Sequence, residues 1–519
     1  MKLKILLINI VFCFSSIMAQ SSPETYKLFE EEKSFEKISS STPKSNSIVD
    51  IIAIGDTIWL GTSRGVSLST DRGESWINFY GRSDFGTDNV SAIGYRNGVF
   101  WCATAKSVEV PGGQRLPAGT GLKYTTNNGV TWVSIPQPID EQNDDKVQYG
   151  INQIRALPVT VTIQNLTYDI AFTPGTIWIA SFAGGLRKST DMGQSWQRVV
   201  LPSDRLNSIR PTDTLNFCLS PVAGSFCAEG NLNHRVFSIT TENDSTIYVG
   251  TANGINKSTD GGVSWVKFNH QNQVNSISGN FITALAFNRN NNSLWASTWK
   301  AEDPNEFYGV SFSLDGGNNW STTLYDERPH NFAFKFNQTF VLSRNGAFRT
   351  TDLGNSWVLP NSIFDKVTKT SLKTNTFYSA AVSGDFIFLG SDDGLARLKE
   401  NFGAVWEGEW KIYLASQPLS SNGETYCYPN PFSPRQDLLK IKFSTKGKFE
   451  KVTIRVFDFA FNHVRTIIQN ADRITDIDGS PEFWDGKDEN GNYVPNGVYL
   501  YRVDVGDDNS YFGKILVLQ

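Results

Sequence analysis

Residues 69–76 read STDRGESW, and residues 258–265 read STDGGVSW. Close copies stand between and beyond them: TTNNGVTW at 125–132, STDMGQSW at 189–196, SLDGGNNW at 313–320 and TTDLGNSW at 350–357. A worn copy, KENFGAVW at 399–406, keeps Asn401, Gly403 and Trp406 but lacks the leading hydroxyl. The shared rule is Ser/Thr-x-Asp/Asn-x-Gly-x-Ser/Thr-Trp. Recurrence of this kind marks a repeat architecture.

Each position of the octet has a physical task. Asp71, Asn127, Asp191, Asp260, Asp315 and Asp352 can accept hydrogen bonds from nearby backbone N–H groups and close a turn. The glycine two residues on can take the positive φ that such a turn needs. The tryptophan starts the next strand and buries a large ring. The octet therefore reads as a hairpin clip. A calcium loop is the competing reading, but one copy offers too few oxygens for 6 to 8 ligands.

The flanks repeat as well. TIWLGTSRGVSLSTD, TIWIASFAGGLRKSTD and TIYVGTANGINKSTD each run from an apolar strand through a glycine turn and a second strand into a clip. One more apolar strand lies upstream, as in VDIIAIGD, YDIAFTPG and YSAAVSGD. Every unit thus supplies four antiparallel strands. A lone unit cannot bury both of its faces, so units must stack. The expectation is an all-β chain: a seven-bladed β-propeller over 48–415, closed partly by its own termini.

The octet resembles the Asp-box, or BNR repeat, found in sialidases, sortilin-type receptors, xyloglucanases and the photosystem II assembly-factor family. The resemblance implies the propeller fold; these families do different things on it.

The first residues, MKLKILLINIVFCFSSIMAQ, have a short basic start and an apolar run. They read as a signal peptide over 1–19, followed by a linker over 20–47. No later segment is apolar enough to span a bilayer, so the expected location is extracellular or on the outer cell surface. The formal net charge of −5 and the lack of a basic stripe argue against nucleic acid as a partner. Cys218 and Cys227 are candidates for a disulfide. Cys102 sits in an apolar stretch, and Cys427 has no evident partner.

A four-stranded blade has its first and third turns at one end. Its middle turn and the crossing to the next blade fall at the other. All clips then share one end. The insertions at 106–120, 136–165, 201–234, 269–279, 299–307 and 360–374 are expected to land opposite them. Variable loops on a rigid scaffold are where binding usually lives. Arg115, Arg210, Trp299 and Phe307 are the candidate ligand contacts on that loop-rich face; the alternative is that they pack their own loops.

No catalytic residue, cofactor or metal site is assigned. The resemblance to sialidases implies three arginines, the first in a Phe/Tyr-Arg-Ile-Pro motif; the nearest match is SIRP at 208–211. A xyloglucanase-like site would need carboxylates between two propellers, and the chain holds one. Four histidines without clustering argue against zinc.

After a linker at 416–424, residues 425–519 change in character. YPNPF, WDG and NGVYLYRV resemble the FlgD-type Ig-like domain and the C-terminal sorting domains of type IX secretion. The resemblance implies a β-sandwich that sorts the chain, attaches it to a surface and contacts secretion machinery; a plain spacer is the alternative. Asp485, Asp488 and Asn490 suit hairpin turns as well as Ca²⁺. The expected function is a secreted, non-catalytic propeller binding an extracellular glycan or protein, with a glycoside hydrolase as the rival.

Overall fold

The computed structural model describes residues 39–40, 42–367, 370–372, 374–415, 425–445, 448–474, 481–506 and 509–519. The expected signal peptide and the 416–424 linker lie outside them. The described chain is all β apart from one short 3-10 turn at Leu232–His234. Successive antiparallel sheets open with the strands Ile48–Ile54, Asn89–Arg96, Thr167–Thr173, Val236–Thr241, Phe281–Asn288, Pro329–Lys335 and Phe377–Ser383. Each opening strand packs against that of the next sheet, and Phe377–Ser383 packs against Ile48–Ile54. This is a β-propeller. The opening strands line the axis.

The second strands, such as Thr57–Thr62 and Thr176–Ser181, are buried along almost their whole length. A sheet covered on both faces needs apolar residues on both, which explains continuous runs such as TIWIAS instead of alternation. The sixth of these sheets falls short of four strands. It has three, and a single bridge between Arg349 and Val358 stands in for the fourth. Ser39–Ser40 adds an outer strand to the first sheet, pairing with Trp76 and Ile77, so chain from before residue 48 joins the ring.

The clips form as their residue types require. In the first, the Ser69 hydroxyl donates to Asp71 Oδ1 and accepts from Gly73 N–H, both at 2.7 Å. Asp71 also accepts from Ser75 N–H at 2.9 Å and the Ser75 hydroxyl at 2.5 Å. The same bonds hold Asp191 and Asp352 down to about 2, with the Ser195 and Ser356 hydroxyls the largest cause. Not only the glycine is left-handed. Arg72, Asn128, Met192 and Leu353, one residue earlier, also have φ between 53° and 59°. Of the clip tryptophans, Trp76 and Trp265 are fully buried, whereas Trp196 and Trp357 are only half-buried.

The clip glycines do more than turn the chain. A Cβ on Gly129 would stand 2.2 Å from the Phe79 ring, and one on Gly262 2.5 Å from Trp178. Gly193 faces Trp101, Gly317 faces Phe268 and Gly354 faces Thr323. In each case the neighbour belongs to the preceding sheet. For Gly73 it is Phe388 and Tyr413 of the last sheet, which closes the ring. Glu74 strengthens that seam through Arg397 at 2.7 Å and Lys411 at 2.6 Å. Gly403 in the worn copy meets nothing within 4 Å. There a buried cluster replaces the latch: Glu400 pairs with Arg349 and, at 2.7 Å, with Lys335, both of the sixth sheet.

After the propeller, two sheets enclose one core built on Phe432, Ile454, Trp484 and Val503. Arg455 of this module reaches Asp393 in the middle turn of the seventh sheet at 2.6 Å and Asp504 at 3.2 Å. Asp488 accepts from Asn490 and Asn492 N–H, both at 2.9 Å, which makes it the hinge of a turn.

If close approach sets the role of the clip glycine, two alanine variants separate it from backbone strain. Gly129→Ala should cost about 3 kcal/mol, since the Phe79 ring must move inside a packed core. Gly403→Ala, with a similar φ of 76° but no neighbour, should cost only about 1 kcal/mol of left-handed strain. Equal losses in denaturant unfolding would refute the distinction.

Candidate functional site at the channel mouth

Each opening strand slips register once near its start, for example between Ile48 and Asp50 and between Thr167 and Asp169. A bulge re-aims one side chain off the regular pleat. The slips recur in every sheet, so their residues form one layer around the axis. Val49-Asp50, Ser91-Ala92, Tyr168-Asp169, Phe237-Ser238, Thr283-Ala284, His330-Asn331 and Tyr378-Ser379 occupy it. A cavity of about 200 Å³ opens there.

The layer is polar and internally bonded. Asp169 Oδ1 accepts from Ile170 N–H and its Oδ2 from Ile239 N–H of the next sheet, both at 2.8 Å. Asp50 accepts from Ile51 N–H at 2.9 Å and from Ile93 N–H of the next sheet. Ser91 donates to Thr167 O at 2.7 Å, and His330 Nδ1 lies 2.9 Å from Phe377 O. Asn331 Nδ2 approaches Asp50 Oδ1 at 3.5 Å.

Burial pushes the Asp50 carboxyl up to about 7 and the Asp169 carboxyl up to about 8, with the Asp50 charge adding to the second. By area both side chains are only half-buried. The surface they show faces the cavity on the axis, where a charge is solvated less well than in bulk water, so the upward direction stands. The shift favours the protonated form of both carboxyls, in which they can donate as well as accept. The layer suits hydroxyl- or amide-bearing ligands.

This mouth lies at the crossing end. Clips sit with the first turns: Arg72 N–H donates to Asp56 O at 2.9 Å, and Gly261 N–H to Ser245 O at 2.9 Å. Middle turns sit with the crossings: Asn253 donates to Asp204 at 2.9 Å, and Asn345 to Glu327 at 3.0 Å.

The crossings do not all stay at that end, contrary to expectation. Ser208–Ile209 pairs with the outer strand Trp265–Phe268, the Tyr149 hydroxyl donates to Val263 O inside a clip at 2.8 Å, and Trp320 N–H donates to Asn275 O at 3.1 Å. These stretches run down the outer wall because the outer strands there are short edges whose backbone groups need partners.

Arg115 is exposed at the tip of a long hairpin, paired in register with Glu109 beside the turn. Arg210 is on the outer wall, where its N–H donates to Asp213 at 2.7 Å. Trp299 is buried against Phe281 and Tyr308. Phe307 is half-buried and stacks on the exposed Tyr325. The structure does not bring these four into one site, and Trp299 follows the alternative of packing its own surroundings. Cys218 and Cys227 form a disulfide with Cα atoms 5.8 Å apart. Cys102 is buried, and Cys427 is half-buried. Among the described residues no group of three His, Cys, Asp or Glu side chains is placed to hold a metal. No helix among them is long and apolar enough to cross a membrane.

Sequence reasoning missed the bulge layer. A signal was available: every upstream strand carries a hydrogen-bonding residue at one of two adjacent positions, a departure from apolar character that recurs in register.

Neither a protein-family profile nor a characterised protein sequence matches the chain. Solved structures do, at low identity. PorZ, a surface component of the type IX secretion system of Porphyromonas gingivalis, is 15% identical, with 91% of this chain and 66% of that one covered and a TM-score of 0.31. YCF48 bound to D1 peptide is 15% identical, with 71% and 96% covered and a TM-score of 0.42. An ancestral GH74 enzyme is 14% identical, with 91% and 62% covered and a TM-score of 0.45. The chain thus spans about two thirds of PorZ and of the GH74 enzyme. The propeller assignment rests on the ring of sheets itself.

A carboxyl held above its unfolded value of about 4 stabilises the fold fully below that pH, and its contribution is lost as pH rises through 7 to 8. Thermal melts from pH 5 to 9 should therefore show falling stability across neutrality. The double variant Asp50→Asn, Asp169→Asn should fall less steeply over that window. Parallel curves would mean that these groups do not titrate there.

Proposed function

We propose that the chain is a secreted, non-catalytic, seven-bladed Asp-box propeller with a C-terminal Ig-like module. It binds an extracellular glycan or protein at the end opposite the clips. The supporting observation is the polar bulge layer: a cavity opening among the loops, lined by hydrogen-bonding groups, on a scaffold whose other end is occupied by the repeated latches. The C-terminal module is bonded to the same end through Arg455 and Asp393. It serves surface attachment, sorting or spacing, and in any of these roles it flanks the mouth.

A second reading has one observation in its favour. Asp50 and Asp169 are two neighbouring carboxyls with raised pKa values in a cavity, which is how a glycoside hydrolase tunes its acid. Their geometry favours the structural role. Both already accept main-chain N–H groups from two sheets, which ties each carboxyl to the backbone rather than to a substrate.

Glycan and peptide arrays probed with the mature chain test the first reading. Binding should be weakened at least tenfold by Asn331→Ala and unchanged by Met192→Ala at the clip end. Loss in the second variant but not the first would place the working face wrongly. A reducing-sugar assay on the array hits should show no release. Release abolished by Asp50→Asn or Asp169→Asn would establish the hydrolase instead.

A further inference from the structure

Four rings and one arginine gather where the fifth sheet hands over to the sixth. Phe307 and Tyr325 stack with centroids 5.6 Å apart and planes 18° from parallel. Tyr325 is 66% exposed, with its ring held in that stack. Its neighbours Leu324 and Asp326 both have left-handed φ, 47° and 65°. Asp326 N–H donates to Tyr308 O at 2.9 Å, and Glu327 N–H to Leu324 O at 3.2 Å, so the turn that presents the ring is fixed.

Arg328 completes the group. Its guanidinium lies 4.3 Å from the Tyr308 ring centroid and 5.9 Å from that of Trp299. The residue is exposed, and it makes no ion pair or side-chain hydrogen bond with the described residues. Glu327, next to it, is engaged elsewhere, accepting from Ser343 at 2.8 Å and Asn345 at 3.0 Å. An arginine stacked on ring faces keeps its planar fork oriented, with its N–H donors directed outward from the guanidinium edge. Such a fork matches a carboxylate with two parallel hydrogen bonds. Exposed Asp326, next to Tyr325, supplies an acceptor for hydroxyl groups.

We propose that the Phe307–Tyr325 stack and Arg328 form a subsite for a carboxylated sugar of the uronate class. The sugar ring lies on the exposed aromatic pair and its carboxylate is paired by Arg328. This deepens the binding role assigned to the loop-rich end and rests on it. The stack supplies a flat apolar face for the C–H side of a pyranose. The fork supplies discrimination between the acid and its ester. An acidic peptide would use the arginine but has no need of an exposed aromatic platform.

The test is calorimetric titration of the mature full chain with trigalacturonate, its methyl-esterified form and hexaglutamate. The acid should bind at least tenfold more tightly than the ester. Arg328→Gln should abolish that preference, Arg328→Lys should keep part of it, and Tyr325→Ala should weaken acid and ester alike. Both side chains are exposed, so melting temperatures should stay within a few degrees of the parent. Hexaglutamate binding as tight as trigalacturonate, with the same response to Arg328→Gln, would overturn the sugar assignment. Array ligands bound at the channel mouth and unaffected by Arg328→Gln, with no uronate binding, would overturn the subsite and leave the loop-rich face standing. A chain that binds nothing on the arrays would remove both.

Discussion

The fold depends on how closely one sheet can approach the next, and the clip glycine sets that distance. At Gly129, Gly262 and Gly317 the missing Cβ is where an aromatic ring of the preceding sheet sits. The serine and aspartate hold the backbone in the two-residue left-handed turn, and the absent side chain lets the ring in. The repeat is thus selected twice at one residue, for φ and for contact. Its direction is constant, each clip gripping the sheet before it, so the first clip must grip the last sheet. Gly73 against Phe388 and Tyr413, with Glu74 bridging to Arg397 and Lys411, meets that requirement.

The seventh sheet shows what replaces a latch when its residues are lost. With Lys399 at the hydroxyl position, no side chain can accept from Gly403 N–H as Ser69 does from Gly73. The seam to the sixth sheet is held by Glu400 between Arg349 and Lys335, with Trp406 lying against Phe340. Glu400 and Arg349 are buried almost completely, and the carboxylate stays ionised despite desolvation because the Arg349 and Lys335 hydrogen bonds more than offset it. Removing one partner from such a pair leaves a buried charge, so the two halves must be kept together. A seam built that way tolerates less variation than the hydroxyl latch.

The parts legible in the sequence were those whose physics is local. An Asp that bonds residues two to four positions away writes its whole requirement into eight letters, which is why the clips, the strand order and the ends of the hairpins could be read. The partner of each clip could not, because Phe79, Trp101 and Trp178 lie a full repeat upstream and look like any strand aromatic. The course of the crossings was hidden for a related reason. Arg187 anchors the 136–165 stretch through a buried two-bond pair with Asp140, 47 residues away, and nothing in either neighbourhood announces it. Asp50 and Asp169 were masked by their strands: one acid in VDIIAIGD or YDIAFTPG reads as an edge residue until the ring puts both in one layer.

Trp299 illustrates how ring chemistry misleads when only the sequence is in view. It sits in an insertion at the crossing end of the molecule, and a large aromatic in such a loop reads as a contact. Folding places it beneath the surface, where Phe281 and Tyr308 pack its edges and Arg328 lies over its face. Its contribution is therefore to orient a charge that sits above it. The exposed ring is Tyr325, which no motif marks and which stands between two left-handed residues. The repeated latches hold one rim rigid, and at the other rim such a pair forms, a buried aromatic fixing an exposed polar group.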